Sequence, residues 1–212
     1  DLVGGNLGRT AGRLFLDVTA VGAVRPRRVL LRSGAREGDA LFVSGRLGAA
    51  AAGLAWLRRG DAPDDDVEVA EAVARYRRPE PRVRLGVLVG RSRSASACMD
   101  ISDGLGDAVS QLAAASGLGA EVDATALPVH PAVARLGLDA DAARRLALGS
   151  DDYELLFAVS RRRQRALLAA ASRARVPLTR IGVLRRAPGV VLREPGGGEA
   201  PWPAGYAHFT AR

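Results

Sequence analysis

The sequence predicts an α+β (mixed α/β) fold. Short apolar stretches with period-two alternation recur along the chain, and helical patterns with one apolar face are interleaved with them. With 212 residues, 48% of them hydrophobic, the chain can bury a substantial core. No apolar run is long enough to span a bilayer, and no internal repeat is visible.

The chain opens on Leu2-Val3-Gly4-Gly5, which reads as the end of a strand and so as a fragment whose N-terminal part is missing. Residues 13–23 place Leu14, Leu16, Val18 and Ala20 on one face, which predicts a strand. Pro26 and the arginines after it mark a junction. Residues 29–31 and 40–44 are strand candidates on either side of a turn-rich 33–39. Residues 47–58 are alanine-rich and helical, 61–66 form an acidic loop, and 67–78 read as an amphipathic helix stopped before Pro79. Residues 83–89 predict another helix, 95–101 a strand, and 103–116 a helix closed by Gly117. Strands follow at 120–123, 153–159, 178–184 and 190–193, and helices at 140–148 and 162–173. Gly196-Gly197-Gly198 is a surface turn, with no helix after it to form a phosphate loop.

All 31 basic residues are arginines, and the net charge is +8. The absent lysine excludes a P-loop enzyme, a protein kinase and Schiff-base chemistry. Two histidines, His130 and His208, give poor support to a Ser-His-Asp arrangement. Basic runs at Arg25-Pro26-Arg27-Arg28, Arg161-Arg162-Arg163 and Arg185-Arg186 are scattered, and aromatic platforms are scarce, so no nucleic-acid partner and no membrane is expected. Cys98, the only cysteine, forms no intrachain disulfide and reads as a small core residue, which suits the cytoplasm.

The most informative run is Met99-Asp100-Ile101-Ser102-Asp103-Gly104-Leu105. Two carboxylates and a hydroxyl fall where a strand turns into a helix. That place suits Mg²⁺ and its phosphates, and it equally suits a helix N-cap. Asp151, Asp152 and Glu154 crowd the start of an apolar strand, either as a solubilising surface or as a site for a cationic or hydrogen-bond-donating substrate. Gly4-Gly5-Asn6 reads as a turn or as a close backbone approach to a ligand, and Arg32 can clamp a phosphate.

Taken in order, these pieces resemble the thiamine-monophosphate kinase family, within the aminoimidazole ribonucleotide synthetase-like superfamily. The resemblance rests on Gly4-Gly5-Asn6, Arg32-Ser33-Gly34-Ala35, Asp100 to Leu105, Gly149 to Leu155, and Gly205-Tyr206-Ala207-His208-Phe209. Arg75-Tyr76-Arg77-Arg78-Pro79 and Gly119-Ala120-Glu121-Val122-Asp123 extend it.

It implies transfer of a γ-phosphoryl group from ATP, with Mg²⁺, to thiamine monophosphate, giving thiamine diphosphate. Asn6, Asp100 and Asp103 would hold metal. Gly5, Arg32 and Ser102 would touch ATP, and Asp151 and Tyr206 the substrate. It also implies a homodimeric full-length protein, with residues 1–26 a remnant of an N-terminal ATP-binding and dimerisation domain and 27–212 the C-terminal synthetase-like domain. Asn6 stands for an aspartate, Ser150 for a glycine and Asp151 for a glutamate. With the N-terminal acidic loop also missing, little or no kinase activity is expected from this chain alone. The alternatives are a non-catalytic nucleotide-binding paralogue and a superfamily enzyme with another substrate.

Overall fold

The computed structural model describes residues 11–14, 16–60 and 65–203. Seven strands form one sheet in the order β2-β4-β1-β5-β3-β6-β7. They are β1 (Ala40–Ser44), β2 (Ala97–Ile101), β3 (Gly119–Asp123), β4 (Glu154–Val159), β5 (Leu178–Arg185), β6 (Val190–Arg193) and β7 (Glu199–Pro201). All pairings are antiparallel except β3 with β6. The helices are α1 (Ala49–Arg59), α2 (Val67–Arg77), α3 (Val83–Ser92), α4 (Leu105–Ala115), α5 (Pro131–Ala134), α6 (Ala140–Leu148) and α7 (Gln164–Ala174).

Helices cover both faces of the sheet, so the central strand β1 is buried along its whole length. Its alternation divides two cores. Leu41 and Val43 join Ile101, Leu105, Leu112, Leu156 and Ile181 beneath α4. Ala40 and Phe42 join Leu85, Val89, Cys98, Phe157 and Leu167 beneath α3 and α7. Cys98 is thus a core residue, as expected, and burial pushes its thiol up to about 12. A third cluster around Trp56, Val69 and Val133 joins α1, α2 and α5.

Most predicted elements are present. The alternation over residues 13–23 forms no strand among the described residues: Leu14, Leu16 and Val18 are 83, 78 and 88% exposed. Alternation supplies a face, but a strand also needs a neighbour for its amides and carbonyls, and β1 already has β4 and β5 on its two edges. Residues 29–31 are likewise not a strand. The chain there runs beside β2 and makes one bond, the Cys98 amide donating to the Leu31 carbonyl at 2.8 Å. The sequence reading missed α5 and β7, at four and three residues too short to show a period. Gly4, Gly5, Asn6, Tyr206 and His208 lie outside the described residues.

Two acids that the sequence places together are structural. The start of α1, Gly48-Ala49-Ala50-Ala51, offers no side-chain cap of its own. The Asp152 carboxylate supplies one, accepting from the Gly48 amide at 2.7 Å and the Ala50 amide at 3.0 Å. Ser150 adds its Oγ, which accepts from the Ala51 amide at 3.1 Å and donates to Asp152 at 2.9 Å. Burial raises the Asp152 pKa, and these hydrogen bonds oppose the rise. Glu154 is buried beside Ser44, whose Oγ donates to it at 2.5 Å, and Arg82, whose Nε donates at 2.7 Å. The same pairing pushes the Arg82 pKa further up. Gly45 leaves the space: a Cβ there would sit 2.0 Å from Glu154 Oε1.

His130 opens α5. Its Nδ1 accepts from the Ala132 amide at 3.2 Å, so the neutral ring carries its proton on Nε2. Nε2 is buried without a hydrogen-bond partner, 3.6 Å from a Glu71 oxygen and 3.7 Å from a Glu68 oxygen. Burial lowers the His130 pKa; Glu71 and Glu68 oppose this, and Arg46 adds to it.

Two predictions follow from these contacts. Asp152→Ala leaves two buried α1 amides without an acceptor and should cost about 2–4 kcal/mol in urea unfolding; an unchanged midpoint would show that the cap does not support the fold. A histidine whose folded pKa lies below its unfolded value of about 6.5 contributes stability above that pH and loses it on acidification. The unfolding midpoint should therefore fall between about pH 7.5 and 5.5. His130→Asn should flatten that fall, and an undiminished fall in the variant would assign the effect elsewhere.

Candidate functional site

The site is the corner where β2 ends and β4 begins. These strands are antiparallel neighbours, with Ile101 opposite Glu154 and Asp100 opposite Leu155. The Tyr153 amide donates to the Ile101 carbonyl at 2.9 Å, tying the two loops together. Gly104 makes a second tie. Its φ of 89° turns the chain into α4, and a Cβ there would lie 2.5 Å from the Leu148 carbonyl and 2.8 Å from Gly149 Cα. The runs 100–105 and 149–155, 50 residues apart in sequence, are therefore adjacent in space.

Tyr153 adopts φ of 54°, a left-handed conformation that costs a non-glycine residue about 1–2 kcal/mol. The turn follows from its neighbours. Asp152 is drawn inward by the α1 amides and Glu154 by Ser44 and Arg82, while Asp151 and Tyr153 stay exposed. Of the three acids in this run, only Asp151 is free for a ligand. Ser150, where the resemblance expects a glycine, is buried in the α1 cap.

The capping explanation for Asp100, Ser102 and Asp103 does not hold. The N-cap of α4 is Gly104, and no side chain bonds to the amides of its first turn. Asp100 is exposed and takes no hydrogen bond or ion pair among the described residues. Asp103 is exposed as well, and its one polar contact is the Ser102 hydroxyl at 3.5 Å. In a chain with 31 arginines, both carboxylates keep their oxygens open beside uncapped helix amides. Hard oxygen donors with free lone pairs fit Mg²⁺, and a helix start that no side chain caps among the described residues fits phosphate.

Arg32 reaches the same place. With Ser33, Asp100, Cys98 and Leu155 it lines a groove of about 420 Å³ along β2. One guanidinium nitrogen donates to Gln111 Oε1, and Gln111 in turn donates to Asp107 in the first turn of α4. Sequence reading found Arg32 but missed Gln111 and Asp107, which hold it. It also missed Arg82, one arginine among many, and Trp202, whose Nε1 donates to the Gly106 carbonyl at 2.7 Å.

Asp100, Asp103 and Asp151 do not converge as one set of ligands. The one group of three histidine or acidic side chains close enough to share an ion, among the described residues, is Glu68, Glu71 and His130. There the tautomer that caps α5 puts the proton on the nitrogen that faces the carboxylates.

Comparison with known proteins gives one answer. Residues 36–194 match the model for AIR synthase related protein, C-terminal domain. The chain is 35% identical over 187 residues to thiamine-monophosphate kinase of Bacillus subtilis, covering 87% of this chain and 56% of that protein. Among solved structures, thiamine-monophosphate kinase from Stenotrophomonas maltophilia superposes with a TM-score of 0.74 at 37% identity, over 84% of this chain and 56% of that one. AaThiL complexed with AMPPCP and TMP superposes with a TM-score of 0.69 at 30% identity, over 85% and 54%. The chain thus spans about half the length of the curated relatives it matches. A sheet with helices on both faces, a corner of unpaired acids at an uncapped helix and a family match over most of the length agree: the chain belongs to the AIR synthase related proteins, through their C-terminal domain.

Proposed function

We propose that this chain carries the metal- and phosphate-binding corner of an enzyme that phosphorylates thiamine monophosphate with ATP to give thiamine diphosphate. The observation that carries the reading is the pair Asp100 and Asp103, exposed and free of arginine partners beside the uncapped start of α4. The relatives named thiamine-monophosphate kinase, and the structure complexed with AMPPCP and TMP, support the choice of nucleotide and acceptor.

In this reading Asp100 and Asp103 hold Mg²⁺, together with Asn6. The ion, when bound, supplies charge neutralisation on the transferring phosphates. Asn6 offers a neutral carbonyl oxygen where a carboxylate would bring a charge, which weakens the set. Ser102 and the first amides of α4 donate to phosphate oxygens, and Gly5, outside the described residues, touches ATP by the resemblance. Arg32, braced by Gln111, presents its guanidinium fork to the same phosphates. Asp151 and Tyr206 orient the thiamine moiety. The acceptor is a phosphate oxygen already ionised near neutral pH, so no side chain needs to act as a strong base, and positioning carries the catalysis. The domain division at residues 26 and 27, a homodimeric assembly and a cytoplasmic setting complete the proposal.

Calorimetric titration with AMPPCP tests it. Binding should require Mg²⁺ and weaken about tenfold or more in Asp100→Asn and Asp103→Asn. Asp151→Asn should leave the nucleotide titration unchanged and weaken binding of thiamine monophosphate. Equal affinity with and without Mg²⁺, or no loss in the aspartate variants, would overturn the assignment.

A further inference from the structure

The arginines are distributed unevenly. Segments 18–36, 81–99 and 155–193 hold 19 of the 31 arginines and none of the 23 acidic residues. Compositional bias toward arginine accounts for the absence of lysine, but it does not remove acids from three separate stretches. In sequence these runs look scattered, which is why no nucleic-acid partner was expected from them. The fold gathers nine of these arginines on one helical layer. Helices α3 and α7 pack side by side over the same face of the sheet. The segment before β1 lies on α3, so close at Gly90 that a Cβ would meet the Arg28 carbonyl at 2.8 Å.

The outward side of this layer carries Arg84, Arg91 and Arg93 from α3 and its end, and Arg161, Arg162, Arg163, Arg165, Arg173 and Arg175 from α7 and its flanks. All nine are exposed, and none forms an ion pair among the described residues. Within the three segments Arg82, Arg186 and Arg193 do pair with acids, Arg82 with Glu154 and Glu80 at the start of α3, and are not counted among the nine. Between α3 and the segment before it, a groove of about 520 Å³ has Arg25, Arg28 and Arg91 on its rim and apolar Val24, Val29 and Val87 within, with no acid in its lining. Among the described residues Glu80, bonded to Arg82 at the start of α3, and Asp100, at the end of β2, border the face.

So many unpaired guanidinium groups without a neutralising acid repel one another, and a polyanion relieves that repulsion by releasing its own counterions. The chemistry favours phosphates read through the backbone. Among the described residues the exposed large aromatics are Tyr76 on α2 and Tyr153 before β4, and neither belongs to α3, α7 or the segment before β1, so unstacked bases find no platform among them. A duplex needs none. The basic ends of the 11-residue α7 stand about 16 Å apart. That is the scale of the ~12 Å groove between two phosphate backbones. We propose that the acid-free face built by α3, α7 and the segment before β1 docks double-helical nucleic acid through its phosphates, without base recognition. This does not depend on the kinase reading.

Fluorescence anisotropy with a labelled duplex of about 20 base pairs, titrated between about 50 and 200 mM salt, tests it. The triple variant Arg161→Glu, Arg162→Glu, Arg163→Glu keeps the fold, since glutamates suit the start of α7. It should lose tenfold or more in affinity and reduce the salt slope by about 3. The matched triple Arg58→Glu, Arg77→Glu, Arg145→Glu, on exposed and unpaired arginines of α1, α2 and α6, should leave the slope unchanged. Equal losses in both triples would reduce the effect to net charge and overturn the assignment. So would failure of the unsubstituted chain to bind the duplex, or a preference for phosphatidylserine vesicles over it.

Discussion

The cap that Asp152 places on α1 is the interaction on which the site depends. A helix that begins Gly-Ala-Ala-Ala has open amides and no local acceptor. The acceptor comes from about 100 residues further along the chain, on the loop between α6 and β4. Once Asp152 is committed inward, the loop has little freedom left. Tyr153 must take the left-handed turn, Asp151 faces solvent and Glu154 enters β4 beneath Arg82. Gly149, on the same loop, lies against Gly104, and so the cap also sets where β2 turns into α4. The exposed corner is positioned by side chains buried beneath it.

The carboxylates of this corner fall into two kinds, and arginine pairing distinguishes them. Glu154 and Asp152 lose their water on folding. Each gains hydrogen-bond donors in exchange, one from Arg82 and Ser44, the other from helix amides and Ser150. Asp100, Asp103 and Asp151 keep their water and gain no arginine, although the chain is strongly basic. Leaving like charges unpaired near one another costs stability, and an external cation can recover it. Structural acids and solvent-facing acids are therefore separable here by what their oxygens already hold.

Much of this was legible in the sequence, for identifiable reasons. Period-two and helical patterns over 67–78, 95–101, 153–159 and 178–184 follow from burial on a sheet covered on both sides, and the structure reproduces them to within two residues at each end. Asp100, Ser102, Asp103 and Arg32 stand out in the sequence because their residue types are rare combinations at a strand end. What failed were inferences that need a partner remote in sequence. The alternation around Leu16 says that a face exists but not what pairs with it. The N-cap explanation for Ser102 and Asp103 failed because Gly104, with its positive φ, takes the N-cap position, one residue after Asp103 and two after Ser102, and neither side chain bonds to the amides of the first turn. Asp152 and Glu154 were grouped with Asp151 because adjacency conceals that a left-handed residue sends them to different places.

Ser150 carries the same logic further. The resemblance expects a glycine there, and the serine looks at first like damage to a binding loop. Its hydroxyl instead bridges the Ala51 amide and the Asp152 carboxylate, on the buried side of the loop. A glycine would leave the Ala51 amide to find another acceptor, so the substitution strengthens the cap and leaves the ligand-facing side as it was. Asp151 differs in kind. Exposed and unpaired, it is one methylene shorter than the glutamate the resemblance expects. The loss of reach falls on the side chain that faces outward, while the scaffold beneath it is reinforced. The departures in this loop therefore bear on how closely a substrate is held, and not on whether the corner folds.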